Sequence, residues 1–276
     1  MIDHKVQFKI KLTGDNSTEY VPVVASGSPK YTMTVDWGDG STPSSYTNKG
    51  FVTRGCSHAY TGAQGDEFTI TLRGSAIPYL AFQSNALCNI AALVAVLDNT
   101  LECSTRFADG SSSAGGFYNC SSLAYLSANA LQNSTDYNIV FRGTRLSSFE
   151  DGFFTNIKNL TVCSNMFNGL SVAFSASHWS EIKTMIKNCK TFYNMFYGFK
   201  GDTRIPDDFF SEVVETITSM QQFTHTAKSP FTGDAAALYQ SLLSKVSQSC
   251  DTTYAFSATS LSNRNQVPSS WGGTGS

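Results

Sequence analysis

The sequence predicts an α+β chain: a small antiparallel β-sandwich followed by an irregular solenoid of repeats. Three observations lead there. Residues 5–74 hold four runs in which apolar and polar side chains alternate, the period of half-buried strands. Further on, aromatic landmarks recur at intervals of 24 to 33 residues. Several of those intervals also carry apolar residues at helical spacing. With 276 residues the chain is long enough for two cores. The expected division is a sandwich over 1–75, a repeat domain with its N-terminal cap over 76–262, and a C-terminal tail over 263–276.

The first run, "KVQFKIKL", places Val6, Phe8, Ile10 and Leu12 on one side of a strand. "EYVPVVA" (19–25), "KYTMTVDW" (30–37) and "EFTITLRG" (67–74) follow, separated by Gly, Asn and Ser clusters. Between the last two lies Trp37-Gly38-Asp39-Gly40. Here a large ring is aimed at the core, two glycines supply positive φ, and Asp39 can accept from backbone amides within the turn. The other chemistry open to Asp36 and Asp39 is Ca²⁺ binding. That takes about six to eight oxygen ligands, and no ladder of acidic residues is present, so a structural turn and no metal are expected.

"VDWGDGS", followed by "SHAY" (57–60) and "DEFTITLRG", resembles the polycystic-kidney-disease (PKD) repeat, with its Trp-Gly-Asp-Gly turn, His-x-Tyr step and closing strand. The resemblance covers about residues 5–75 and implies an Ig-like sandwich in which His58 is a hydrogen-bonding core residue.

Residues 76–115 are read as an N-terminal cap or a divergent first repeat. Their longest apolar run, "NIAALVAVLDN", stops at Asp98 after barely two helical turns, too short for a membrane span. "DGSSSAGG" (109–116) is expected to be a flexible turn. Beyond it the landmarks are Phe117, Phe141, Phe167, Phe196, Phe223 and Phe256. Phe154 and Phe210 each stand 13 residues ahead of a landmark, and Asn-Met-Phe-x-Gly occurs at both 165–169 and 194–198. These phenylalanines form the expected repeat core. Helical faces are predicted for Ile182, Met185, Ile186 and Cys189, for Phe210, Val213, Val214 and Ile217, and for Leu238, Leu242 and Val246, with Asp207 and Asp234 as N-caps. No unit of this size covers its own apolar face, so stacking creates the core.

"RIPDDFFSEVVETITSMQQF" and "CKTFYNMFYGF" resemble the BspA-like leucine-rich repeats of bacterial surface proteins. The resemblance covers about residues 115–260, with irregular steps and an insert, "KSPFTGDAAA" (228–237). It implies a solenoid used for protein or glycan contact and brings no catalytic residues.

Composition narrows function. A formal charge of −2 offers no field for nucleic acid or anionic lipid. The seven cysteines are odd in number and lack metal-ligand spacing, so buried thiols are expected at Cys120, Cys163 and Cys189. Phosphate-loop, zinc-protease and serine-elbow motifs are missing, and Asp207 and Asp208, adjacent at a helix start, point apart. Hence no catalytic residue and no cofactor are expected. Tyr193, Tyr197, Phe199 and Lys200 crowd one repeat turn and form the candidate binding surface.

The expectation is a non-enzymatic recognition or structural protein whose partners are proteins or glycans on a bacterial surface, or neighbouring virion subunits. The N-terminus "MIDHKVQFKI" has no signal-peptide pattern, which favours a bacteriophage tail, fibre or capsid-surface component located on the virion. A bacterial adhesin with its signal removed, and a carbohydrate-active enzyme or its accessory module, are the alternatives. Trp271 is the one large apolar group of the tail. If that tail is ordered, a neighbouring copy in a homo-oligomer is the expected reason.

Overall fold

The computed structural model describes residues 4–20, 23–24, 32–47, 56–75, 79–80, 92–101, 104–105, 116–131, 140–158 and 160–275. Within them the protein is mixed α and β, rich in short strands, with two α-helices. It forms two compact units, Met1–Ser134 with Gly143–Asn156, and Thr135–Arg142 with Ile157–Ser276, so the division does not fall at residue 75.

The first unit holds β1 (Val6–Lys11), β2 (Thr18–Tyr20), β3 (Val23–Val24), β4 (Thr32–Asp36), β5 (Ser44–Thr47), β6 (Ser57–Ala59), β7 (Glu67–Ser75), β8 (Tyr79–Leu80), β9 (Leu93–Asn99), β10 (Ser104–Thr105), β11 (Tyr125–Leu126) and β12 (Ser148–Phe149). Its largest sheet runs β12-β11-β9-β1-β7-β4-β5. The alternation of β1 is realised: Val6, Phe8, Ile10 and Leu12 are buried, while Gln7, Lys9 and Lys11 are partly exposed. β1 is antiparallel to both β7 and β9. β9 is also parallel to β11, which is parallel to β12.

"NIAALVAVLDN" therefore supplies a strand rather than two helical turns. Val94 and Val96 accept backbone bonds from Ala124 and Ser127, so a short apolar run flanked on both edges is satisfied as a central strand. "DGSSSAGG" lies outside the described residues except Gly116, as do Cys88, Cys103 and parts of the second and third predicted runs.

The second unit holds α1 (Ala176–Met185), β13 (Ile217–Ser219), β14 (Gly233–Asp234), α2 (Ala235–Leu242), β15 (Val246–Asp251) and β16 (Leu261–Ser262). Its organising feature is a backbone ladder between segments 28 to 32 residues apart in the chain. In a first column Val162 pairs in parallel with Thr191, Thr191 with Ser219, and Ser219 with Asp251. A turn follows in each coil, and turns bond to turns. Phe167 N donates to Met195 O (3.0 Å), Phe196 N to Phe223 O (2.8 Å) and Thr224 N to Ala255 O (2.9 Å). A second column pairs Arg204 with Thr232 and Gly233 with Leu261. The stretch taken as an insert, 228–237, belongs to this second column: Phe231 is fully buried and Thr232 N donates to Thr203 O.

The turns share one backbone conformation. Asn165, Asn194, Gln222 and Tyr254 have φ of 56°, 56°, 56° and 59°, and four residues later Gly169, Gly198 and Thr226 have 75°, 62° and 56°. Asn and Gly tolerate this region, whereas a β-branched side chain there is strained. Thr226→Gly is therefore expected to stabilise the protein by about 1 kcal/mol, and Thr226→Ala to give little, both read by urea unfolding.

Landmarks Phe141, Phe167, Phe196, Phe223 and Phe256 are all buried, as are Phe154 and Phe210. Rings 167 and 196 lie 5.4 Å apart, 196 and 223 5.3 Å, and 223 and 256 6.2 Å. Cys163 and Cys189 are buried thiols whose Sγ atoms donate to Thr191 O and Leu160 O, and Cys120 is buried in the first unit.

Two helices form where periodicity placed them, and both are shorter than expected: α1 ends at Met185, with Ile186 in a following 3-10 turn and Cys189 extended beyond it. Ser175 caps α1, its hydroxyl accepting from His178 N. Asp234 caps α2, accepting from Ala236 N and Ala237 N at 2.9 and 3.1 Å. α2 ends at Leu242, and Val246 opens β15 instead of extending it. The helix expected from Phe210 to Ile217 is absent. Residues 207–212 are turns, Val214 is 66% exposed, and Ile217 pairs in parallel with Val246. The β-branched stretch Val213, Val214, Thr216, Ile217 and Thr218 is a poor helix former, and Val214 N bonds Lys187 O in the neighbouring coil. Asp207 accordingly caps nothing; it pairs with Arg204 at 2.8 Å.

Tail residues 263–275 are held by their own chain, which removes the argument from an ordered tail to a neighbouring copy. Trp271 stacks on Phe256 (6.0 Å, 5°) and meets Tyr239 edge-on (5.1 Å). Phe256 N donates to Trp271 O, and Arg264 donates to Phe256 O and Gly272 O.

Candidate functional site

The Trp37–Gly40 turn is built as a clasp. Trp37 is fully buried, with its Nε1 donating to Ser44 Oγ (3.0 Å). Gly38 (φ +79°) approaches Thr69 so closely that a Cβ would fall 2.4 Å from its carbonyl oxygen. Asp36 and Asp39 accept from Gly38 N and Ser41 N, both at 3.0 Å. Across the turn, His58 Nε2 meets Asp39 Oδ2 at 2.6 Å while its ring stacks on Trp37 at 5.0 Å. Tyr60 donates its hydroxyl to Trp37 O (2.8 Å) and packs on Phe68 of β7 (4.5 Å). Every polar atom of Asp39 and His58 named here serves the clasp, and among the described residues no group of three or more His, Cys, Asp or Glu is placed to hold a metal.

Burial works to raise the Asp39 pKa but is outweighed by hydrogen bonds from Ser41 and His58, which bring it down to about 2. A depressed carboxylate stabilises the fold above its ordinary pKa, and that contribution is lost as pH falls from about 4 through 2. Melting curves across this window are expected to fall less steeply than the parent's for Asp39→Asn, and also for His58→Ala, which removes part of what holds the Asp39 pKa down. Identical profiles for all three would exclude the clasp as a source of acid sensitivity.

The turn proposed as a binding surface is only partly at the surface. Tyr193 and Tyr197 are half-buried and Lys200 is exposed, but Phe199 is fully buried. Its ring lies against Phe174 (5.7 Å), Phe196 (5.5 Å) and Phe231 (5.2 Å), so it fills the repeat core and contacts no partner. Asp207 and Asp208 are held by separate cations, Arg204 and Lys183, each at 2.8 Å.

What the structure brings together instead is a row running across three coils. Tyr197 meets His225 at 5.6 Å, and His225 stacks on Tyr254 at 5.2 Å and 30°. Tyr197 and His225 are half-buried and Tyr254 is 51% exposed. The candidate binding residues read from the sequence include neither His225 nor Tyr254. The interval carries only part of the signal: 197 and 225 hold the same place relative to the positive-φ residues Asn194 and Gln222, whereas Tyr254 is itself the positive-φ residue of its turn.

No family model, curated protein or solved structure matches this chain. Among the described residues no helix is long and apolar enough to cross a membrane.

Proposed function

We propose that the chain is a non-enzymatic recognition and structural protein, a PKD-like β-sandwich followed by BspA-like leucine-rich repeats. It serves as a bacteriophage tail, fibre or capsid-surface component that holds the host surface or neighbouring virion subunits. The observation that carries the reading is the ladder. Coils bonded backbone to backbone at the first column, the turn and the second column form a scaffold whose turn side chains are fixed relative to one another. Such a scaffold suits recognition, because little side-chain or loop ordering remains to be done on binding. The low charge fits contact with uncharged polar surfaces rather than electrostatic capture.

The test is immunogold labelling of particles and cells from the source, with light scattering of the purified chain. Label on particles and a symmetric oligomer are expected. Label confined to the bacterial envelope replaces the virion assignment with a cell-surface adhesin. A monomer that labels neither overturns the recognition reading.

A further inference from the structure

We infer that Tyr197, His225 and Tyr254 form a stacking platform for a neutral sugar unit of a glycan, with the exposed ring of Tyr254 as its contact face. The inference rests on the recognition reading above and names its ligand class.

The row has a half-buried end at Tyr197 and an open end at Tyr254. In coil register Tyr197 corresponds to His225 and then to Ser257, because Asn194, Gln222 and Tyr254 occupy the shared positive-φ position three residues earlier. The small Ser257 leaves the next place in the row without a ring, and Tyr254 covers His225 from its own position in the turn. The coil that follows brings Gly272 and Gly273, which have no side chains to cover Tyr254; Gly272 lies against the Tyr254 backbone, where a Cβ would fall 2.8 Å from its Cα. Tyr254 thus remains half exposed while its ring is backed by His225.

Hydrogen bonding orients the middle ring. The Ser257 hydroxyl donates to Tyr254 O (3.1 Å), so in its 2.6 Å contact with His225 it accepts the proton of Nδ1. Nε2 is then an acceptor with no protein partner among the described residues, beside an open aromatic face. An exposed aromatic ring beside a hydroxyl and an imidazole matches a pyranose, which offers an apolar C–H face and a rim of hydroxyls.

Charge selects among ligands that stack. The turn segments 191–199, 218–227 and 252–260 contain no Asp, Glu, Lys or Arg, and their polar residues are Asn, Gln, Ser, Thr, Tyr and His. A nucleic-acid base would bring phosphates that need Lys or Arg, and the nearest cations along the chain, Lys200 and Lys228, lie outside the segments that carry the row. A neutral hexose meets no such mismatch.

The test is native electrophoresis of the full chain in gels containing a neutral β-glucan, a mannan or a galactomannan, with heparin as the charged control. Retardation is expected in at least one neutral gel and not with heparin. Tyr254→Ala should weaken apparent affinity at least roughly tenfold, with Tyr254→Trp retaining it. Melting temperatures of both variants confirm folding, and Tyr197→Ala provides a second probe of the row. No retardation in any neutral gel, or retardation indifferent to Tyr254→Ala, overturns the platform. If the chain then still binds intact bacteria or particles, recognition stands and a protein partner replaces the sugar; if it binds neither, both readings fail.

Discussion

Replacing Phe196 with alanine is expected to cost about 3–5 kcal/mol, at the upper end for loss of a buried aromatic. The ring is fully buried and sits among those of Phe167, Trp179, Phe199, Phe209, Phe223 and Phe231, at 5.3–6.0 Å. Phe167 and Phe223 belong to the coils on either side, so the cavity would open across three coils at once, where collapse of one neighbour cannot fill it. A fall in Tm of roughly 10 °C or more is the calorimetric expectation. Phe196→Leu should lose distinctly less, because part of the volume is kept. A loss under 1 kcal/mol for the alanine variant would mean that the coils are not packed on one another as described.

Ending the chain after Ser262 is the second large perturbation. It removes Trp271 from the face of Phe256 and the edge of Tyr239, both Arg264 bonds, and the acceptor of Phe256 N. Trp271 is half-buried, so loss of its contacts alone is of the order of 1–3 kcal/mol. The last coil would also present an uncovered backbone edge and a bare phenylalanine, the condition terminal capping segments exist to prevent. The expected result is lower stability together with concentration-dependent association, seen by light scattering. A shortened protein that melts like the parent and stays monodisperse would show that the tail is dispensable.

Much of the first unit was legible because alternation and turn chemistry are local. Val6 to Leu12 state their own buried face, and Trp-Gly-Asp-Gly states its turn. β9 was not legible, since an apolar run without alternation looks alike in a buried strand and a short helix, and only its two neighbours decide. In the second unit Asn-Met-Phe-x-Gly marks a recurring turn, because Asn and Gly tolerate positive φ. Where Gln222, Thr226 and Tyr254 occupy the same positions the signal fades, although the backbone does not change. Phe199 was misplaced for a related reason. Neighbouring aromatics in a turn look equally exposed in sequence, whereas the coil sends Phe199 inward and leaves Tyr197 at the surface. The aromatic row needed both the period and the knowledge that one coil lies on the next.

The ladder also separates what must be conserved in length from what is open to change. Bonds between coils pass through two columns and a turn, while the return segment is α1 in one coil, turns at 207–212 in the next and α2 in the one after. On the repeat reading proposed above, duplicating a single coil would add one more rung and advance the array by about 4.8 Å, the spacing of paired strands, without disturbing rungs on either side. Reach and the number of presented turns can therefore evolve by copying, in whole-coil increments, with no redesign of the core.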